Sequence, residues 1–319
     1  MRAVVCAYGE VGFACLDALI DLGTDVALVV THEDAPGEKI WFRSVRDRAL
    51  GAGVEVMAPQ DVNAPATLAA IRRAAPEFLF SFYFRQMMSG ELLSIPSRGA
   101  LNMHGSLLPR YRGRAPVNWA LVHGEKETGV TLHYMDEKPD HGDIVVQRPV
   151  RIARDDTAKT LTGKMATQAA IALKDVVPKL SEGTIRATPQ DHSVSTYFGG
   201  RRPADGRIDW SQPAEVIRNL IRAVTDPWPG AFTHFGGRKL FVWWADTRPA
   251  WGGDAAPGSL LVDREGSPLV ATGQGALEIL DVTWEGESRR SGREWASGAA
   301  ISVDSRFEEP RKEAAGGGT

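Results

Sequence analysis

Three side chains in this sequence, Asn102, His104 and Asp140, have the types and spacing that acyl-type transfer needs. An amide can donate a hydrogen bond to a developing oxyanion. An imidazole can move a proton near neutral pH, and a carboxylate can orient that imidazole and hold up its pKa. Asn102 and His104 open the run Asn102-Met103-His104-Gly105-Ser106-Leu107-Leu108-Pro109-Arg110-Tyr111-Arg112-Gly113. Asp140 follows the histidine by 36 residues, in the polar loop Asp136-Glu137-Lys138-Pro139-Asp140-His141-Gly142. A bare Asn-x-His would read as a strand end with a satisfied histidine, then a turn made by Pro109 and Gly113. The length of the run argues against that reading.

The elements around these residues read as an α/β domain. Arg2–Ala7 is a short β-branched apolar run, Val11–Leu22 has helical spacing, and Asp25–Val30, Val54–Met57 and Phe78–Phe82 read as further strands. Strands alternating with helices predict a mainly parallel sheet with right-handed crossovers. Ligands bind such sheets at the carboxyl ends of the strands. Asn102 and His104 fall there, after the strand-like Gly99-Ala100-Leu101. The first strand–helix turn, Ala7-Tyr8-Gly9-Glu10-Val11-Gly12, is neither G-x-G-x-x-G nor a Walker pattern, so its glycines point to a tight turn rather than to a bound dinucleotide.

A long amphipathic helix is predicted over Thr157–Leu180, its apolar face serving the core. The chain then turns polar, and a linker is expected over 191–205. Beyond it come a helix, Ala214–Val224, and short strands at Ala231–Phe235, Lys239–Trp244, Ser259–Val262, Leu269–Thr272 and Ala276–Trp284. Short strands separated by Gly and Pro suggest a small β-barrel. Charged residues and then Ala-Ala-Gly-Gly-Gly-Thr predict a disordered tail over 307–319.

The run from Asn102, together with Phe80–Arg85, His104–Trp119, Glu127–His133 and Ala223–Phe232, resembles the folate-dependent formyltransferases over nearly the whole chain, from Arg2 to about Val282. The likeness is greatest to the branch that formylates UDP-4-amino-4-deoxy-L-arabinose in lipid A modification. It implies a Rossmann-like catalytic domain over 1–190 and an OB-like barrel over 206–306. It also implies 10-formyltetrahydrofolate as co-substrate and the primary amine of a nucleotide-linked sugar as acceptor, with no metal. On that resemblance Asn102, His104 and Asp140 are catalytic. The folate lies along the main chain of Gln86-Met87-Met88, along Arg114, and along Asp136-Glu137-Lys138-Pro139-Asp140. The tRNA-modifying branch usually carries a small residue at Arg114 and a basic loop after the second strand. Here Thr31–Trp41 holds three acids, Glu33, Asp34 and Glu38, and one lysine, Lys39, which suits a phosphate backbone poorly. A non-enzymatic relative would not be expected to keep all three catalytic groups.

Composition adds limits. The chain has 319 residues, 43% hydrophobic and 24% charged, with a net charge of −3, which suits about two globular domains. No apolar run approaches the roughly twenty residues of a membrane span, and the N-terminus lacks the pattern of a signal peptide. Cys6 and Cys15 read as buried free thiols, which with the absent leader predicts a cytoplasmic protein. His32, His123, His192 and His234 lack metal-ligand spacing. His133 is expected to be structural, and His141, beside Asp140, is worth testing. Trp228 could pack in a turn or wall an acceptor cleft.

Overall fold

The structure is a computed structural model, and it describes residues 1–248, 255–299, 301–302 and 304–308. It forms two compact units: Met1–Ala120, Glu125–Arg154 and Lys159–Gly200 make one, and Leu121–Gly124, Asp155–Ala158 and the chain from Arg201 make the other.

The first unit begins with β1 (Arg2–Ala7), buried from Ala3 onward as a strand covered on both faces should be. Helix α1 (Gly9–Asp21) turns Val11, Cys15, Leu16 and Leu19 inward. Next come β2 (Asp25–Val30), α2 (Val45–Gly51), β3 (Val56–Met57), α3 (Pro65–Ala74), β4 (Phe78–Phe82), α4 (Gly90–Leu93) and β5 (Ala100–His104). The helix ends follow local chemistry. The Ser44 hydroxyl caps α2 by accepting from the Asp47 N–H at 3.1 Å, and Pro65 stands at the start of α3, where a missing N–H costs nothing. The unit continues with β6 (Arg112–Gly113), α5 (Pro116–Val122), β7 (Glu127–Tyr134), β8 (Ile144–Arg151), α6 (Ala158–Glu182) and β9 (Tyr197–Phe198).

Seven strands form one sheet in the order β3-β2-β1-β4-β5-β7-β8. The first five are parallel; β7 runs antiparallel to β5, and β8 antiparallel to β7. The expected parallel architecture is present, with two antiparallel strands closing one side. The third strand is shorter than expected, only Val56–Met57. The strand expected to stop at Leu101 runs on through His104, so the signature begins inside the sheet.

The second unit holds α7 (Ala214–Val224) and a six-stranded antiparallel sheet: β10 (Ala231–Phe235), β11 (Arg238–Arg248), β12 (Leu260–Val262), β13 (Pro268–Ala271), β14 (Ala276–Trp284) and β15 (Arg290–Ser291), followed by α8 (Gly292–Gly298). This is the smaller β domain the sequence predicts. Arg218 of α7, almost fully buried, meets Asp155 at 2.9 Å and Asp246 at 3.2 Å.

The expected linker divides between the units. Residues 191–200 belong with the first, where β9 pairs in parallel with β6; 201–205 belong with the second. Phe307, where a disordered tail was expected to begin, is buried and stacks on Trp210 and Trp295. Residues 309–319, the remainder of that tail, lie outside the described residues. Among the described residues no helix is long and apolar enough to cross a membrane.

Candidate active site

Side chains two apart on a strand share a face, so β5 presents Asn102 and His104 together. The antiparallel register sets His133 of β7 opposite Asn102 and Thr131 opposite His104, and directly opposed residues also share a face. The loop from β7 to β8 then brings Asp140 to the same place. Its Oδ1 lies 3.3 Å from His104 Nδ1, 3.4 Å from Asn102 Nδ2 and 3.6 Å from His133 Nε2. The three residues expected to act together do converge.

His133, expected to be structural, borders Asn102 and Asp140, because β7 is antiparallel to β5 in this register. Had that pairing been known, the histidine opposite Asn102 would have been a candidate from the start.

The hydrogen bonds fix the protons. His104 Nε2 is 2.8 Å from the Tyr111 carbonyl. A carbonyl only accepts, so Nε2 carries a hydrogen and Nδ1 is the edge turned to Asp140. His133 Nδ1 donates to the Tyr134 carbonyl at 2.7 Å, which leaves its Nε2 to accept from the Asn102 amide at 3.2 Å. The second Asn102 amide hydrogen then points at Asp140. The Tyr111 carbonyl is held in place by the signature loop itself. Ser106 Oγ donates to the Arg110 carbonyl at 2.6 Å, Thr131 Oγ1 donates to the Ser106 carbonyl at 2.6 Å, and Tyr111 adopts a left-handed φ of 58°.

Electrostatics correct one expectation. Asp140 does pull the His104 pKa upward, as does the Tyr111 carbonyl, but burial of the imidazole outweighs both and leaves it below its ordinary value. Burial would push Asp140 up, yet its interactions with His104 and His133 and the Gly113 N–H bond win, holding it at about 2. Asp140 Oδ2 accepts from that N–H at 2.8 Å. The resting pair is thus a neutral imidazole whose free nitrogen faces a carboxylate, ready to take up a proton and have the resulting charge stabilised.

Residues 1–177 match the family model described as formyl transferase, and residues 201–300 match that described as formyl transferase, C-terminal domain. The chain belongs to the formyl transferase family. Solved structures agree in fold. WlaRD, a sugar 3N-formyl transferase crystallised in the presence of dTDP and 5-N-formyl-THF, superposes with a TM-score of 0.70 at 18% identity, covering 90% of this chain and 99% of its own. An N-formyltransferase from Helicobacter canadensis in complex with folinic acid and dTDP-3-aminofucose gives 0.69 at 19% identity, covering 88% and 98%. A methionyl-tRNA formyltransferase from Clostridium thermocellum gives 0.57 at 16% identity, covering 79% and 95%.

The other expected site residues make contacts of their own. Gln86 spends its side chain locally: Oε1 accepts from the Val62 N–H at 2.7 Å and Nε2 donates to the Gln60 carbonyl at 3.1 Å. Met88 is buried in the core, whereas the Met87 side chain is exposed and its carbonyl accepts from Asn63 Nδ2 at 2.9 Å. Asp136, Glu137, Lys138 and Pro139 form an exposed loop. Asp136 accepts from the Lys138 N–H at 2.8 Å and pairs with His141 at 2.9 Å. Arg114 is exposed, its backbone N–H bonds the Phe198 carbonyl at 2.9 Å, and its guanidinium makes no hydrogen bond or ion pair among the described residues. Both cysteines are buried and free, and burial pushes the Cys6 thiol up to about 12. Among the described residues no cluster of His, Cys, Asp or Glu could hold a metal ion.

Proposed function

We propose that this chain transfers a formyl group from 10-formyltetrahydrofolate to the primary amine of a nucleotide-linked amino sugar, most specifically UDP-4-amino-4-deoxy-L-arabinose in lipid A modification. The observation that carries the reading is the convergence of Asn102, His104 and Asp140 at the end of β5, in a member of the formyl transferase family. The acceptor amine attacks the formyl carbon, a C–N bond forms and the carbonyl oxygen becomes an oxyanion. An Asn102 amide hydrogen is the donor within reach; its present bond to Asp140, at 3.4 Å, is long enough to be given up. His104 takes the ammonium proton at Nδ1, since Nε2 is committed to Tyr111. When the intermediate collapses, the bond to the folate nitrogen breaks and the same proton returns to that nitrogen, leaving tetrahydrofolate and the N-formyl sugar.

The folate would lie along the main chain of Gln86–Met88 and the exposed loop Asp136–Pro139, with Arg114 free to meet a glutamate carboxylate. Two of the structural neighbours were solved with formyl-folates together with dTDP or a dTDP-amino sugar, which supports a nucleotide-sugar acceptor. The antiparallel second unit would correspond to the family's OB-like domain, and the reaction would take place in the cytoplasm, in keeping with two unpaired buried thiols. A tRNA acceptor is less well served. The acids of the loop after β2 pair with arginines, Glu33 with Arg46 and Glu38 with Arg85, so those cations are already partnered rather than offered to a phosphate backbone.

The test is formyl transfer by the purified chain with 10-formyltetrahydrofolate and, separately, UDP-amino-arabinose, dTDP-amino sugars and initiator methionyl-tRNA. Transfer to UDP-amino-arabinose well ahead of the others is the expected outcome. Preference for the tRNA, or full activity in His104→Ala with every acceptor, would overturn the reading.

A further inference from the structure

The carboxylate at the centre of the site is held from behind. Asp140 sits in the left-handed region, at φ 55°, which is uncommon for a residue with a side chain although Asp tolerates it better than most. Gly142, two residues on, packs so closely on the Tyr134 carbonyl that a Cβ there would collide with it. Gln190 reaches across from 50 residues away and closes this turn. Its Nε2 donates to the Asp140 carbonyl at 3.0 Å and to the Gly142 carbonyl at 2.7 Å. Its Oε1 accepts from Arg112 Nη2 at 2.6 Å. The orientation of the amide is unambiguous, because the carbonyls can only accept and the guanidinium can only donate.

Arg112 ties the arrangement to the signature run. It is buried, and no carboxylate pairs with it among the described residues; its partners are Gln190 and His192 Nδ1, the latter at 2.8 Å. His192 stacks face to face on His141 at 4.1 Å, and His141 bonds Asp136. The neighbouring Gly113 supplies the N–H that binds Asp140 Oδ2. One short strand thereby grips Asp140 twice, directly at its side chain and through Gln190 at its backbone.

We propose that Gln190, oriented by Arg112, is a positioning residue for Asp140: its two amide hydrogens hold the 140–142 turn so that the carboxylate faces His104 Nδ1. The inference rests on the formyl-transfer reading for its consequence, though not for its geometry. Nothing in the local sequence marks Gln190, the last residue before the stretch expected to be a linker. Arg112 also presses on His104 electrostatically, opposing the protonated imidazole, as does His133.

Gln190→Glu is the informative variant. It keeps the shape and strengthens the pair with Arg112, but sets a carboxylate oxygen against two carbonyls. If donation to the turn matters, kcat falls roughly ten- to a hundredfold, the scale of a misplaced catalytic group, with circular dichroism showing the fold retained and the melting temperature lowered by the two unsatisfied carbonyls. Gln190→Ala loses a similar factor. In an Asp140→Asn background the Gln190→Glu change adds little, because both act through the same group. NMR titration gives a readout apart from turnover. In Gln190→Ala the His104 imidazole titrates below the wild-type value, having lost the carboxylate that pulls it up. Wild-type kcat in Gln190→Glu, a full multiplicative loss in the double variant, or an unmoved His104 titration would each overturn the proposal. Failure of the wild-type chain to formylate any acceptor would sink the functional reading while leaving the titration to judge the brace.

Discussion

Around the carboxyl ends of β1, β2 and β4, Tyr8, Glu10, Glu33, Asp34 and Glu38 meet Arg43, Arg46 and Arg85, whereas beyond β5 and β7 the ionisable groups are His104, His133, Asp140 and Arg112. The first cluster holds more formal charge, and nearly all of it is paired. Arg43 meets Glu10 at 2.5 Å, Arg46 meets Glu33 at 2.5 Å, Arg85 meets Glu38 at 2.6 Å, and the Tyr8 hydroxyl donates to Asp34 at 2.7 Å. These arginines are about half exposed. In the second cluster Asp140 is partnered by imidazoles, the Asn102 amide and backbone, and Arg112 by neutral groups. Exposed ion pairs add little to stability, although in the first cluster burial and the Asp34 bond push the Tyr8 hydroxyl up and the Arg85 bond holds Glu38 down. Charges buried without a full complement are perturbed, and perturbation is where function concentrates.

The sharpest break of that comparison is mutation of each cluster in turn. Asn102→Ala is expected to lower kcat about 10²–10³-fold, and His104→Ala about 10²–10⁴-fold; Asp140→Ala also lowers kcat strongly, in each case with circular dichroism and oligomeric state unchanged. Glu33→Gln and Arg46→Gln should leave kcat as it is. Equal losses from the two clusters would show that the paired cluster is also part of the reacting machinery.

A second effect comes from packing beneath the site. Gly105 follows His104, and a Cβ there would run into the Tyr83 hydroxyl. That hydroxyl is buried with no hydrogen-bond partner among the described residues. Gly105→Ala therefore overpacks, at about 1–3 kcal/mol, and moves His104 with it; denaturant titration and kcat should fall together. Tyr83→Phe removes the orphan hydroxyl and should be neutral or stabilising by about 1 kcal/mol. A destabilised Tyr83→Phe would mean the hydroxyl has a partner that matters.

How much of this was legible follows from what each feature depends on. β1 and α7 were readable because an apolar run and a helical period are properties of adjacent residues. The convergence of Asn102, His104 and Asp140 was readable because these residue types are rare in such a run. His133 was not, since its place opposite Asn102 is set by the register between β5 and β7. Gln190 was not, since a polar side chain in a polar stretch gives no sign of burial or of partners 50 residues away. The net direction of the His104 pKa needed the extent of its burial, which spacing does not contain.

That direction yields a pH prediction. In the proposed reaction His104 acts in its neutral form, and burial holds its pKa below the ordinary 6.5. The acidic limb of kcat/KM should therefore lie below pH 6.5, and Asp140→Asn, which removes the group pulling the value up, should move it lower still. Stability follows the same sign. A folded-state value below the unfolded one means that the contribution is complete above about pH 6.5 and declines as pH falls toward the folded value. Asp140, at about 2 against 3.8, adds a second decline between those values. A limb at or above pH 6.5 would place His104 in a wetter setting than the one described.

Arg114 sharpens the comparison from a third side, being an arginine that belongs to neither cluster. Exposed and without a bonded partner among the described residues, it should matter for binding rather than for folding. Arg114→Ala is expected to raise KM for one substrate by about 1.5–3 kcal/mol in equivalent free energy, with an unchanged melting temperature. Arg114→Lys should recover only part of this, because an ammonium lacks the planar fork. A drop in melting temperature with unaltered KM would make it a structural residue.

The smallest expected effect lies in the paired cluster and tests the premise of the comparison. Arg46 and Glu33 are 44% and 71% exposed at the side chain, so water competes for both and salt screens what remains. A double-mutant cycle on Arg46→Gln and Glu33→Gln should give a coupling of about 0.2–1 kcal/mol, smaller at high salt, with KM for the acceptor unchanged. The alternative is that these ion pairs stand in for a ligand anion, each acid holding an arginine that a phosphate would otherwise take. In that case Glu33→Gln would free Arg46 and lower KM for a nucleotide-linked acceptor, while Arg46→Gln would raise it. Opposite shifts of that kind would show that local pairing had concealed a binding site, and that complete charge compensation is no guarantee of a structural role.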